Sequence, residues 1–176
     1  MNKVFDRDCR QCPRLAAFLD QVKEKYPDYY CGPVPPFGDP AARFLIVGLA
    51  PGMHGANRTS RPFTGDHAGI LLYETIHDYG FSTAACSESA DDDLRLLDCR
   101  ITNAVKCLPP DNKPVGAEIN TCNSFLANDC RRSRMVQWFW HWVVSLTVPL
   151  SRRWACGRPS MFLDTRPNMP LMNDFY

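Results

Sequence analysis

The chain has 176 residues, of which 45% are apolar and 22% charged, and its formal net charge is only +1. This composition is typical of one globular domain with a hydrophobic core, and it excludes a disordered or collagen-like chain. The overall charge does not indicate nucleic-acid binding, although a local basic surface would allow it. The stretch from Met1 to Cys12 is polar and contains no secretory signal. We therefore expect a cytoplasmic protein.

Nine cysteines are a high number for a reducing compartment, where clustered cysteines indicate metal more often than disulfides. Cys9 and Cys12 form a C-x-x-C pair near the start, and Cys107 and Cys122 stand near the ends of apolar segments. Four such thiols fit a [4Fe–4S] cluster or a structural zinc ion. The spacing favours neither metal, and ordinary buried cysteines remain an alternative.

The first predicted element is a helix from Pro13 to Lys25, because its apolar residues recur at helical spacing. The segment from Tyr26 to Asp39 is rich in proline, glycine and tyrosine, which predicts an irregular connection. Four apolar residues from Phe44 to Val47 then predict a short buried strand.

The loop after this strand, residues 48–66, reads GLAPGMHGANRTSRPFTGD. Its glycines and proline permit a tight turn and a close approach of the backbone to a ligand. Open α/β sheets place their sites at strand ends of this kind, which predicts a functional loop here. An ordinary strand-to-helix turn remains possible, because the fingerprint G-x-G-x-x-G is absent.

A second helix is predicted from Ala68 to Tyr79, with Asp66 placed to cap it. The polar, acidic stretch from Ser82 to Asp93 predicts a surface loop. The run from Cys99 to Cys107 is a second strand candidate and contains Asn103. A buried amide needs hydrogen-bond partners, which either a base edge or the local backbone would supply.

A short helix is predicted from Val115 to Leu126, and the composition changes from Cys130 onward. This tail holds all four tryptophans and sets seven arginines against two aspartates, a surplus of five positive charges. It could form a basic, aromatic arm for nucleic acid. Its apolar stretch from Met135 to Leu150 is shorter than the about 20 residues of a membrane span, so we expect no membrane contact.

The loop at residues 48–66 resembles the first motif of the type 5 (thermophile type B) uracil-DNA glycosylases. The resemblance extends from about Cys9 to about Leu126. It includes Ile101-Thr102-Asn103-Ala104-Val105, which looks like the family strand whose asparagine contacts the uracil edge. The resemblance implies an α/β fold with three α/β/α layers around a short parallel sheet, incomplete at the C-terminus. It also implies a monomeric repair enzyme that hydrolyses the N-glycosidic bond of uracil in DNA by base flipping.

The resemblance also implies roles for individual residues. Type 4 and type 5 enzymes hold a structural [4Fe–4S] cluster with four cysteines in this arrangement, which selects Cys9, Cys12, Cys107 and Cys122. The other cysteines match no ligand position. Asp66 and Asn103 are the candidate catalytic residues, with Asp66 stabilising the attacking water or the sugar cation. Arg58 and Arg61 are candidates for binding backbone phosphates. The candidate substrate contacts are Ala50, Pro51, Gly52, His54, Gly55, Asn57, Phe63 (as a stacking platform) and Asn103.

The resemblance stops after about Leu126, and the change of composition predicts a shift of reading frame near residues 128–130. Codons for Trp138 to Val143, read from the last base of Trp138, spell Val-Leu-Ala-Leu-Gly whichever synonymous codons are used. This shifted product resembles the next strand of the family. We therefore predict a glycosylase-like domain at residues 1–128 and an aberrant, frameshifted tail at 129–176.

The predicted frameshift removes the family's C-terminal histidine motif, and His141 does not stand in that context. We therefore expect an enzyme of this family whose own turnover is weak or absent. The alternatives are a non-catalytic iron–sulfur remnant that binds DNA and a zinc-stabilised interaction module.

Overall fold

The computed structural model describes residues 5–132 and, beyond them, the backbone of one short strand. The elements follow the chain as α1 (Pro13–Lys25), β1 (Phe37–Gly38), β2 (Phe44–Gly48), α2 (Ala56–Thr59), α3 (His67–Asp78), β3 (Cys99–Asn103), α4 (Gly116–Arg132) and β4 (Gln137–Phe139). A 3₁₀ turn at Pro110–Asn112 precedes α4.

The sheet has the strand order β1-β3-β2-β4. Its three longer strands are parallel, with β2 between β3 and β4. The two-residue strand β1 pairs antiparallel with β3, so the sheet is mixed, and part of the predicted irregular connection is a strand. Gly48 lies opposite Asn103 in the register of β2 and β3. The loops that leave these two strands therefore begin at the same edge of the sheet.

Helices cover both faces of the sheet, which confirms the predicted three-layer α/β/α arrangement. Ile46 of β2 packs with the α3 residues Leu72 and Ile76 on one face. Leu45 and the α4 residue Leu126 pack together on the other, because successive strand residues point to opposite sides. The α1 side chains join α4 in a further apolar cluster that includes Leu15, Leu19, Val22 and Phe125.

The predicted helices α1 and α3 are confirmed, with α3 beginning one residue earlier than predicted. Helix α1 begins with Pro13, whose fixed φ suits the first helical position, and it has Lys23 and Lys25 in its last turn. Helix α3 is capped by the side chain of Asp66. Gly80, just beyond it, has φ +76°, a conformation that favours glycine.

Helix α4 continues to Arg132, past the predicted end at Leu126 and across the predicted domain boundary at residue 128. The remainder of the predicted frameshifted tail, including His141, lies outside the described residues apart from the β4 backbone. Within residues 5–132 and 137–139, no helix has the length and apolar character needed to span a membrane.

Candidate active site

The carboxyl ends of β2 and β3 bring together the three residues that we call the candidate base site: Gly48, Phe63 and Asn103. A Cβ atom placed on Gly48 would stand 2.4 Å from Asn103 Oδ1 and 2.8 Å from Phe63 Cζ. No side chain fits at Gly48 unless the amide or the ring moves. The absence of a side chain there allows both groups to lie over the end of β2.

Asn103 is a buried residue, but its amide is not among the enclosed polar atoms of residues 5–132 that lack a hydrogen bond. The residue is only 3% exposed, and its amide makes no hydrogen bond within residues 5–132. The amide therefore remains accessible, and its one acceptor and two donors can hydrogen-bond a ligand. An unpaired amide beside an aromatic ring is suited to a planar ligand with hydrogen-bonding groups along one edge.

Phe63 has a φ of +54°, which is uncommon for a residue with a side chain. Such conformations cost about 1–3 kcal/mol and persist only where the surrounding structure enforces them. Phe63 is half-buried, so part of its ring remains accessible. The backbone strain is therefore found at a residue whose ring contributes to the candidate base site.

The two carboxylate oxygens of Asp66 have different neighbours. Its Oδ1 accepts a hydrogen bond from the backbone N–H of Gly69 at 2.9 Å, which confirms the predicted cap of α3. Its Oδ2 lies against the turn of the loop at residues 48–66, which we call the site loop: a Cβ on Gly55 would stand 2.4 Å from it, and one on Gly52 3.7 Å. Capping one helix therefore leaves the second oxygen directed at the loop.

His54 and Arg58 lie on the outer side of this loop and are exposed. The Nδ1 atom of His54 is 2.8 Å from the hydroxyl of Tyr29, and the imidazole meets the Tyr26 ring edge to face at 5.7 Å. The Nε of Arg58 donates to the His54 carbonyl at 2.8 Å. The Nη2 of Arg58 lies beside Gly65, 2.5 Å from the position that a Cβ on this glycine would take. The Arg58 side chain is nevertheless exposed, so an anion could reach it.

The sequence profile of the uracil-DNA glycosylase superfamily matches residues 35–140, which include the whole sheet and the site loop. The chain belongs to the uracil-DNA glycosylase superfamily.

Within this superfamily, the chain is similar to type 5 enzymes. It is 50% identical over 119 residues to a type-5 uracil-DNA glycosylase of Thermus thermophilus, a match that covers 65% of this chain and 54% of the relative. It is 41% identical over 131 residues to the type-5 enzyme of Pyrobaculum aerophilum, covering 72% and 58%. A type-4 enzyme of Archaeoglobus fulgidus is 32% identical over 127 residues, covering 72% and 50%. The chain thus matches about half the length of these curated glycosylases.

The four cysteines predicted as ligands are associated with one apolar cluster. Cys107 and Cys122 are buried within it, and Cys9 and Cys12 pack against it. Burial, together with the nearby Cys122, Cys9 and Cys12, raises the pKa of the Cys107 thiol to about 12. Among the described residues, no three metal-ligating side chains are placed to hold a metal ion. The four predicted ligands are all thiols, the donor type that an iron–sulfur cluster requires.

Two predicted site residues in the loop at residues 48–66, Arg61 and Asn57, are buried and contact other protein groups. Arg61 is 4% exposed, and its guanidinium binds the loop at residues 87–92. The Asn57 side chain is fully buried, with its Nδ2 at 3.5 Å from Cys31 Sγ and its Oδ1 without a partner within the described residues. Neither side chain faces outward, so we leave both out of the proposed DNA contacts.

A buried charged network behind β3 was not predicted. Asp129 of α4 accepts hydrogen bonds from Arg100 at 3.1 Å, Thr102 at 3.0 Å and Lys106 at 3.1 Å. Burial lowers the pKa of Lys106, and the Asp129 carboxylate opposes that change. The available signal was the presence of two basic residues, Arg100 and Lys106, within the largely apolar run from Cys99 to Cys107, since buried cations require a counter-ion.

Proposed function

We propose that this chain is a DNA glycosylase of the type 5 branch, which hydrolyses the N-glycosidic bond of deoxyuridine in DNA after the base has left the duplex stack. The observation that carries the proposal is the unpaired amide of Asn103 beside the Phe63 ring at Gly48. Enzymes that act on a base flip it into a site that stacks against its face and contacts its edge. The candidate base site provides one group for each contact.

Asn103 is proposed to recognise the O4 and N3 edge of uracil. An asparagine amide offers one acceptor and two donors, so it can donate to O4 and accept from N3–H at once. Cytosine carries a donor at position 4 and an acceptor at N3, which reverses this pattern. Phe63 is proposed to stack on the face of the base, and the backbone around Ala50, Pro51 and Gly52 to contact it.

Asp66 is proposed to act on the water and the sugar. In the reaction, the bond from C1′ to the base nitrogen breaks and its electron pair leaves with uracil. The oxygen of water then bonds to C1′ and loses a proton. A carboxylate can orient this water, accept the proton and stabilise positive charge on the sugar. The Oδ2 of Asp66 is the proposed group, because it lies against the site loop.

Arg58 and His54 are proposed to hold the DNA strand beside the flipped nucleotide. Arg58 is exposed and uses its Nε on the His54 carbonyl, so both side chains belong to the same outward surface of the loop. Contacts to phosphates orient DNA without selecting sequence. We also propose that the protein is monomeric and cytoplasmic.

The four-cysteine cluster is proposed to hold a [4Fe–4S] cluster formed by Cys9, Cys12, Cys107 and Cys122. Such a group would join the segment before α1 to α4 and to the segment after β3, and its role would be structural. An all-sulfur donor set suits it, and Cys9 and Cys12 pack against the apolar cluster that contains Cys107 and Cys122.

Metal analysis of the purified chain tests the cluster. We expect a brown protein with iron and sulfide in equal amounts and little zinc. Cys107→Ser should lose the iron, whereas Cys86→Ser, at an exposed cysteine outside the cluster, should keep it. Stoichiometric zinc without iron would instead support the zinc-stabilised interaction module.

Weak or absent turnover is part of the proposal for the chain as it stands, because no family-like C-terminal histidine motif follows Leu126 in the sequence. The alternative is a non-catalytic iron–sulfur protein that binds DNA, which the excess of arginine in the tail favours.

The deciding experiment is uracil excision from a duplex oligonucleotide by this chain and by a frame-restored version. Excision by the restored version alone supports both the site and the frameshift. Absence of excision by either version contradicts the proposed substrate.

A further inference from the structure

Arg61 is an arginine of the site loop that binds protein instead of solvent. Its Nη1 donates to Ser87 Oγ at 2.9 Å and to the Asp92 carboxylate at 2.5 Å, and its Nη2 donates to the Ala90 carbonyl at 2.9 Å. The guanidinium also lies 4.3 Å from the centre of the Phe37 ring. With 4% of its surface exposed, Arg61 joins the site loop to the loop at residues 87–92.

The loop at residues 87–92, which we call the acidic loop, is itself organised by Asp92. The Asp92 carboxylate accepts hydrogen bonds from the backbone N–H groups of Glu88 at 2.9 Å, Ser89 at 3.2 Å and Leu94 at 3.1 Å. A carboxylate with several donors is a fixed partner for a planar guanidinium. Arg61 is therefore bound to a preformed turn and not to a flexible surface side chain.

Further contacts fix the two residues that flank Phe63. The hydroxyl of Tyr73, on α3, donates to the Pro62 carbonyl at 2.9 Å. The hydroxyl of Thr64 lies 2.8 Å from that of Ser87 in the acidic loop. The residues on both sides of Phe63 are thus held, while Phe63 itself has the left-handed φ of +54°.

We infer that Arg61 and the acidic loop hold Phe63 in its left-handed conformation and thereby set the ring against Asn103 in the candidate base site. Arg61 is accordingly a positioning residue that acts through Phe63, with Asp92 as its partner. The catalytic part of this inference rests on the proposed function. A structural ion pair alone would stabilise the fold without affecting how uracil is recognised.

The test compares the affinity of the full chain for duplex DNA that contains uracil with its affinity for the same duplex containing thymine. Asp92→Asn should lower this preference at least about tenfold, because small displacements of a positioned group have large effects. Arg61→Lys should retain part of the preference and Arg61→Gln should not. Arg43→Gln is the matched control, since Arg43 pairs with Asp98 at the opposite edge of the sheet.

A double-mutant cycle with Phe63→Ala separates positioning from stability. If Arg61 and Asp92 act through Phe63, Asp92→Asn has no further effect on uracil preference once the ring is gone. An effect of Asp92→Asn that adds to that of Phe63→Ala would overturn the inference, as would an unchanged preference in Asp92→Asn alone.

Hydrogen exchange distinguishes this inference from the proposed function. The Thr64 N–H donates to the Arg61 carbonyl at 3.3 Å, so its exchange rate reports the turn that contains Phe63. Asp92→Asn should raise this rate and Arg43→Gln should not. If the wild-type chain shows no uracil preference but Asp92→Asn raises the rate, the proposed function fails and the positioning of Phe63 stands. An unchanged rate refutes the positioning.

Discussion

Asn103 Oδ1 and the Phe63 ring meet over Gly48, within 2.4 Å and 2.8 Å of the position that a Cβ on this glycine would take. Two residues of the loop at residues 48–66 thus converge with the end of the distant strand β3 at one point of the sheet edge. The amide of Asn103 and the ring of Phe63 can come together because Gly48 has no side chain.

Replacing Gly48 with alanine should abolish uracil preference in DNA binding, because the new methyl group would displace the amide and the ring. Competition binding with uracil- and thymine-containing duplexes measures the effect. Gly80→Ala serves as the control, because no atom lies within 4 Å of its Cβ position. Its left-handed φ should lower stability by about 1 kcal/mol and leave uracil preference unchanged. Equal preference in Gly48→Ala and wild type would refute the candidate base site.

Two substitutions at Asp66 separate its role as a helix cap from its proposed role in chemistry. Asparagine also caps helices, so Asp66→Asn should change the free energy of unfolding little, whereas Asp66→Ala should lower it by about 1 kcal/mol. In the frame-restored chain, both should reduce excision strongly, because neither provides a carboxylate. Excision retained by Asp66→Asn would show that the charge of Asp66 is not required.

The phosphate contact proposed for Arg58 has a measurable salt dependence. Each phosphate neutralised by a cation contributes about 0.9 to the slope of log K against log salt. Arg58→Gln should therefore reduce this slope by about 1 for DNA with or without uracil, and Arg43→Gln should not. Equal slopes in the two variants would remove Arg58 from the proposed surface.

The buried network around Asp129 predicts a large loss of stability on truncation. Asp129→Ala would leave Lys106 and Arg100 buried without their counter-ion, which should lower the free energy of unfolding by about 3–5 kcal/mol. Denaturation in urea measures this loss. Asp20→Ala removes a carboxylate from an exposed pair with Arg10 and should change stability little. Similar effects of the two substitutions would mean that the Asp129 network is not formed in solution.

Acid should weaken the contact between Arg61 and the acidic loop. Burial alone would raise the pKa of Asp92, but hydrogen bonds from Arg61 and from three backbone N–H groups lower it below the ordinary value of 3.8. A lowered folded-state pKa contributes stability above the unfolded-state value and loses it as pH falls through the folded-state value. Between about pH 5 and pH 2, wild type should therefore lose stability more steeply than Asp92→Asn in thermal melts. Parallel melting curves would contradict this.

The amphipathic elements could be predicted because their signal is local. The spacing of apolar residues gave the bounds of α1, and the apolar run from Phe44 gave β2 to within one residue. Strand β1 was missed because a two-residue strand is defined by its partner Ile101 and not by its own residues. The C-terminal end of α4 was missed for the same reason, because its last turn is defined by a distant partner: Cys130 packs in the core beside Leu45.

The candidate site was predictable in its residue types but not in how the side chains are used. A carboxylate and a phosphate offer an arginine the same oxygen acceptors, so the sequence could not show that Arg61 binds Asp92 and that Arg58 remains exposed. The left-handed φ of Phe63 also has no local signature, because the contacts that hold it come from α3 and the acidic loop.

The distribution of the four clustered cysteines also affects biosynthesis. Cys9 and Cys12 leave the ribosome long before Cys122, yet all four thiols are associated with one apolar cluster. The proposed cofactor, which would require all four, could not be completed until Cys122 in α4 had left the ribosome. Until then Cys9 and Cys12 would have to remain reduced and unpaired, so the supply of reductant during translation would govern how much of the chain matures.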